Sequence, residues 1–320
     1  MKSRIGIGLW FIAGMCSRYI YLQCNRRWAI IVVALLFAAC NNGGKSSSSS
    51  EEGFLSCPHF SLKVSNRIDV EEYGILKPQL IERKDGLYII YNDAMKQASY
   101  SVSKRGDSLY ISNKTDLSRE GERVIFASSQ NTAIAVSGYF SGCWAKYTSS
   151  DGHEFIIPYP EIESIIELTD HEKSALLMNT NIAMSPDAKH MALSTTNGCA
   201  LAIYDCSPND VKKVSFKMYD EPIFVVSQQS VAATIDSPIG FGDIFAGDKY
   251  LYCLYEKATM GDLLKGHQSN TCLLVFNWKG ELLKSYYLEK PLVTFGVDEE
   301  KGILYGIGND PEGCILEYKL

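Results

Sequence analysis

The sequence predicts an all-β chain folded as a β-propeller of four-stranded blades, and three observations predict it. From Phe54 onward, short β-type runs separated by Gly, Asp, Asn and Pro turn signals replace any long helical periodicity. The runs recur as one unit every ~45 to 60 residues, the range of a four-stranded blade. The last unit stops one strand short, which leaves an open edge for a strand from elsewhere in the chain.

Each unit follows one plan: strand, acidic or Gly turn, apolar strand, gap, apolar strand, hairpin turn, polar-edged strand. The first runs Leu80–Arg83, Leu87–Tyr91, Ala98–Val102 and Leu109–Ile111, with turns at Asp85-Gly86 and Arg105-Gly106-Asp107. The second has Val124–Phe126, Ala133–Val136, Trp144–Tyr147 and Phe155–Ile157, with a turn at Asp151-Gly152. The third has Ile182–Met184, Met191–Leu193, Leu201–Tyr204 and Val214–Phe216, turning at Ser185-Pro186-Asp187 and Pro208-Asn209-Asp210. The fourth has Ile244-Phe245, Tyr250–Tyr255, Leu273–Phe276 and Leu282–Leu288. The fifth has Val293–Phe295, Ile303–Tyr305 and Ile315–Leu320, and there the sequence ends.

The second strand of each unit is apolar on both faces, as in Tyr250–Tyr255. A strand with one wet face alternates, whereas one covered on both sides need not. Neighbouring blades would supply that cover. The missing strand of the fifth unit is expected from Phe60–Val64 or Arg67–Val70, neither of which has a partner of its own. Pairing the first and last segments in one blade would close the ring. Five units are counted directly, and Phe54 to Pro78 has length for part of a sixth.

The first residues read as a targeting segment rather than as part of the fold. Arg26-Arg27 precede an apolar run from Trp28 to Ala39, too short for a spanning helix of ~20 residues. Leu36–Cys40 resembles the bacterial lipoprotein signal, in which the Cys is acylated and becomes the new N-terminus; Phe37 stands where that signal usually has Leu. Asn41 to Glu52 is a Gly- and Ser-rich tether, suited to holding a domain off a membrane. The expected organisation is a signal peptide over 1–39, a lipidated Cys40 with its tether over 40–56, and a propeller over 57–320.

Removing the leader changes the charge. Residues 1–39 carry Lys2, Arg4, Arg18, Arg26, Arg27 and no acid, so the formal charge of −6 becomes −11. An acidic chain repels phosphate backbones, which argues against nucleic-acid binding. Seven cysteines follow Cys40: Cys57, Cys143, Cys199, Cys206, Cys253, Cys272 and Cys314. An odd number, in apolar runs and without C-x-x-C spacing, reads mainly as small core residues and not as a zinc site. A Cys253–Cys272 disulfide is expected only if their runs are adjacent strands.

Runs at Gly138–Tyr147, Met184–Lys189, Gly247–Tyr255, Val275–Gly280, Val297-Asp298, Ile303–Tyr305 and Glu312–Leu320 together resemble the TolB-like six-bladed β-propeller lipoproteins of Bacteroidetes. The resemblance covers residues 80 to 320. It implies six blades, a lipid anchor and export to the cell envelope, on the outer membrane facing the periplasm or the cell surface. It brings no catalytic residues and no cofactor.

The residues carry no constellation for catalysis. The five histidines, His59, His153, His171, His190 and His267, are far apart in sequence, and no P-loop, dinucleotide fingerprint or G-x-S-x-G elbow occurs. Glu82, Asn92, Asn181 and Asp243 lie near inner-strand ends, where lactonase-type propellers gather a metal in the channel. That makes a metal-dependent hydrolase the alternative reading. A binding or interaction role, for a protein, glycan or peptide, is the primary one. Tyr139, Phe140, Trp144 and Phe241 are the candidate ligand platform, with inter-blade packing as their competing role. The long inserts Glu161 to Thr180, Asp220 to Pro238 and Glu256 to Asn270 are where a rigid scaffold tends to carry function.

Overall fold

The computed structural model describes residues 57–69, 78–84, 87–92, 98–105, 108–116, 125–128, 133–137, 142–177, 179–227, 230–266, 272–309 and 312–320. In chain order these begin with β1 (His59–Leu62) and β2 (Val64–Asp69). Blade one is β3 (Pro78–Lys84), β4 (Leu87–Asn92), β5 (Ala98–Arg105) and β6 (Ser108–Asp116). Blade two is β7 (Ile125–Ser128), β8 (Ile134–Ser137), β9 (Ala145–Thr148) and β10 (Glu154–Ile157). A 3-10 turn (Glu163–Ile165) and helix α1 (Asp170–Leu176) lead to blade three: β11 (Thr180–Met184), β12 (His190–Thr195), β13 (Cys199–Ser207) and β14 (Asp210–Asp220). A separate hairpin follows, β15 (Phe224–Ser227) and β16 (Ser230–Ala233). Blade four is β17 (Pro238–Ala246), β18 (Leu251–Thr259), helix α2 (Met260–Leu264), β19 (Cys272–Phe276) and β20 (Leu282–Leu288). Blade five is β21 (Leu292–Asp298), β22 (Ile303–Asn309) and β23 (Glu312–Lys319).

The five counted units are thus the five blade sheets of the described residues, each an antiparallel meander completed as expected. The first strands pack in series: β7 against β11, β11 against β17, β17 against β21, and β21 against β3. The fourth strand of blade five is β2, antiparallel to β23 with Arg67 opposite Leu316 and Ile68 opposite Ile315. The N-terminal segment therefore completes the last blade. The other expected donor is used as well. β1 runs parallel to β20, with Phe60 opposite Tyr286, as a fifth strand on blade four.

Apolar runs that do not alternate are explained by what covers them. Along β11 and β12, Ile182, Met184, Met191 and Leu193 face blade two, while Ala183 and Ala192 face blade four. On β13 the assignment continues, with Ala202 and Tyr204 towards blade two and Leu201 and Ile203 towards blade four. A further core between blades four and five holds Tyr252, Leu254, Leu273, Val275, Phe295, Leu304 and Leu316. Burial on both faces makes the interior strands the main source of hydrophobic stabilisation.

The described cysteines are all buried. The strands of Cys253 and Cys272 are adjacent, as the disulfide expectation required, but Cys253 stands opposite Leu274 and Cys272 opposite Tyr255. The two-residue offset keeps the thiols apart, and both serve as small residues in the core between blades three and four. Among the described residues no helix is long and apolar enough to cross a membrane.

Candidate functional site

Blade connectivity decides where the long inserts go. In an antiparallel meander, the links from first to second and third to fourth strand lie at one end. The links from second to third strand, and from each blade to the next, lie at the other. The insert between β10 and β11, that between β14 and β17, and that between β18 and β19 all belong to the second group. Three inserts that are far apart in sequence therefore share one end of the propeller.

Their contacts fuse them into one cap. α1 packs against β16. The Gly261 N–H donates to the Ile235 carbonyl at 2.7 Å, and the Met260 N–H to that of Ser237 at 2.9 Å. Ile223 N–H donates to Ser237 Oγ at 3.2 Å, and Asn197 Nδ2 to the Leu176 carbonyl at 3.0 Å. Gly240 permits the close approach of β17 in blade four to the start of β13 in blade three. A Cβ there would collide with the Gly198 carbonyl and the Cys199 backbone.

Both helices start for a local reason. Thr169 caps α1 and Glu172 returns its carboxylate to the Thr169 backbone, a capping box; Thr259 and Asp262 do the same for α2. The Thr169 hydrogen bonds hold the Glu172 carboxyl below its usual range, so it stays charged. Ile162, Ile165, Leu176 and Leu177 anchor the first insert in the core between blades two and three, where Phe224 and Val231 of the hairpin also pack. Several apolar side chains also remain outward: Ile166 is 66% exposed and Val226 53%, with Ile223, Val225 and Leu264 also exposed.

Of the four aromatic residues expected as a platform, Trp144 and Phe241 are buried. Trp144 is 2% exposed and its indole N–H donates to Thr180 Oγ1 at 2.7 Å. Phe241 is 0% exposed, edge-on to both Tyr219 and Tyr255. Both rings join blades, and neither presents surface to a ligand. Tyr139, Phe140 and Cys40 lie outside the described residues, as do the side chains of Glu82 and Asn92. Asn181 Nδ2 donates to the Phe241 carbonyl at 2.8 Å, and Asp243 accepts the Thr294 hydroxyl at 2.7 Å. These two polar side chains of the inner strands link blades three, four and five.

A groove of about 350 Å³ runs between the outer strands of blades two and three. Phe155, Ile156, Tyr159, Tyr204, Phe216 and Lys213 line it. It abuts the cap through Tyr159, whose hydroxyl donates to the Asp170 carbonyl at 3.3 Å. Burial pushes the Tyr159 hydroxyl up to about 12, so it remains a neutral donor at physiological pH.

The sequence matches the family described as TolB-like 6-blade propeller-like over residues 72–300, well over half of the chain. The chain belongs to that family. The described residues of this member form five blades, blade four carrying β1 as an added strand, and the hairpin β15–β16 stands apart from them.

No curated protein matches the sequence. Among solved structures, it is similar to the Cps50 (Swd1) β-propeller domain of Myceliophteria thermophila. The identity is 10% and the TM-score 0.38, covering 81% of this chain and 99% of that one. It is also similar to XC5397, a gluconolactonase of Xanthomonas campestris, at 11% identity and TM-score 0.37, covering 79% and 70%. The WD40 repeats of RRP9 match at 6% identity and TM-score 0.40, covering 81% and 100%. Likenesses at this level carry nothing about activity.

The apolar cap residues Ile166, Ile223, Val225, Val226 and Leu264 were not singled out by sequence. An apolar four-residue run inside an insert, such as Ile223–Val226, reads as one more buried strand. The signal that could have found them is the blade phase, which fixes the end of the propeller to which an insert belongs.

Proposed function

We propose that the chain is an interaction propeller of the cell envelope, held to the outer membrane by lipid on Cys40 and engaging a partner through its capped end. The observation that supports this reading most is the convergence of three inserts, each leaving apolar side chains in solvent, at one end of the fold. Exposed apolar side chains grouped on one surface mark an interaction site more often than a scattered few do. The rigid blades beneath hold the inserts in fixed relation, which reduces the ordering cost of binding. The Ser-rich tether would leave the propeller free to orient that end.

The test uses the full chain in envelope membranes, with a photo-crosslinking residue at Val226 and, separately, at Asp248 of the opposite end. A discrete crosslinked product from Val226 alone supports the reading, and equal yields from both positions overturn the use of the cap. Metabolic labelling with a radioactive fatty acid tests the anchor. Incorporation that survives Cys40→Ser removes it from the proposal.

A further inference from the structure

The cap is charged as well as apolar. Residues 161–177, 220–237 and 259–266 hold nine carboxylates against the two cations Lys173 and Lys265, with His171 beside them. Glu161, Glu163, Glu167, Asp170, Glu221 and Asp236 are exposed. They are drawn from two of the three inserts, which share one end of the fold and leave Ile166, Ile223, Val225, Val226 and Leu264 in water.

This combination selects among occupants. An anionic lipid surface would meet like charge across the whole cap, which opposes adsorption however apolar the hairpin is. A second copy of the chain would bring its own carboxylates to face these. A segment that alternates basic and apolar side chains meets both properties at once. Its apolar face covers Val225 on the outward face of the hairpin, and its cations sit among carboxylates that outnumber the cations of these inserts.

Resting on the reading that the capped end is the interaction face, we propose that its occupant is a cationic amphipathic segment of a partner protein. The carboxylates steer the encounter and set the preference for positive charge, while Val225 and Ile223 on the outward face of the hairpin, with Ile166, supply the contact area. Because the charges are exposed, their contribution is screened over a Debye length of ~8 Å at physiological salt, so affinity falls as salt rises.

The test measures binding to the full chain, solubilised in detergent, of fluorescent synthetic peptides of ~18 residues, five helical turns. One alternates Lys and Leu on a helical pattern, one replaces Lys by Glu, and one replaces Lys by Ser. Phosphatidylcholine vesicles form a fourth probe. The Lys peptide is expected to bind, with affinity reduced about tenfold by the combined variant Glu163→Gln, Glu167→Gln, Glu221→Gln. Val225→Ser with Val226→Ser, made separately so that one misfolded variant does not decide the matter, should also weaken it. Asp248→Asn with Glu300→Gln, exposed carboxylates at the opposite end, should change it less than twofold.

If the opposite-end variant weakens binding as much as the cap variants, the attraction is general acidity and the proposal falls. If the Glu or Ser peptide, or the vesicles, bind as well as the Lys peptide and depend on Val225 and Val226, the cationic class falls while the interaction face stands. If no probe depends on the cap and Val226 gives no crosslink, both fall.

Discussion

Asp243 of blade four and Thr294 of blade five are joined across the junction of two inner strands, the Thr294 hydroxyl donating to the carboxylate at 2.7 Å with both side chains buried. The other Asp243 oxygen accepts the Ile244 N–H at 3.0 Å. A hydrogen bond to a charged group contributes ~1.5–3 kcal/mol, and a buried partner left alone costs about as much. Thr294→Val and Asp243→Ala should each lower stability by ~2 kcal/mol or more, and the double variant by clearly less than their sum. Urea midpoints of the four proteins check this. Strict additivity would show that the pair does not couple the blades.

Trp144 makes the equivalent link between blades two and three. Its indole donates to Thr180 Oγ1, Thr180 Oγ1 donates to the Leu177 carbonyl at 2.6 Å, and Ser137 Oγ reaches the Thr180 carbonyl at 2.9 Å. Trp144→Phe removes the N–H and part of the ring, and should cost ~2 kcal/mol. Binding at the cap should be unchanged once the variant is folded. A variant with native stability but lost binding would return Trp144 to the role of ligand platform.

The five units were legible because a blade repeats turn chemistry at fixed offsets, and because burial on both faces removes alternation from strands such as Tyr250–Tyr255. The need for a further strand beside Ile315–Leu320 was legible. Which segment met it was not. Phe60 and Arg67 lie in runs of similar pattern, and long-range pairing leaves no turn signal to choose between them. The parallel addition of β1 to β20 was invisible for the same reason. Helix α1 was readable in principle from Thr169 and Glu172 at capping-box spacing. The hairpin β15–β16 was harder, since Gln228-Gln229 is not a recognised tight-turn pair. The cap escaped because it depends on three inserts sharing one end, which is a property of topology and not of any residue.

Alkaline stability follows from buried phenols and thiols. Burial pushes Cys206, Cys272 and Tyr318 up to about 12, and raises Tyr204, Tyr219 and Tyr252 as well. These are acids held neutral in the fold. In the unfolded chain a thiol ionises near 9 and a phenol near 10. Above those values the folded state retains protons that the unfolded state has lost, so stability is full below them and falls as pH rises towards the folded values. Each such group contributes a slope of at most ~1.4 kcal/mol per pH unit. Urea midpoints should be level near neutrality and fall between pH 9 and about 12. A midpoint that holds constant across that range would contradict the burial.

The N-terminal strands make two separable contributions, one to the sheet of blade four and one to that of blade five. β2 places Ile68 in the interior opposite Ile315, and Asn66 Nδ2 donates to Glu317 Oε2 at 2.9 Å while Ser65 Oγ donates to the Glu317 carbonyl at 2.9 Å. β1 buries Leu62 but leaves Phe60 half exposed on an outer edge. A chain beginning at Lys63 loses only the added strand of blade four. A chain beginning at Val70 also leaves β23 with an unpaired edge, the feature that templates aggregation. The first truncation should lower stability modestly and remain monomeric. The second should unfold without a single cooperative transition and aggregate during purification. Ile68→Ala in the full chain gives an intermediate test, with an expected loss of ~2–4 kcal/mol. Light scattering and urea unfolding distinguish the cases. If removing β1 costs as much as removing both strands, then the stabilising contribution lies at blade four and the β2–β23 pairing is incidental to it.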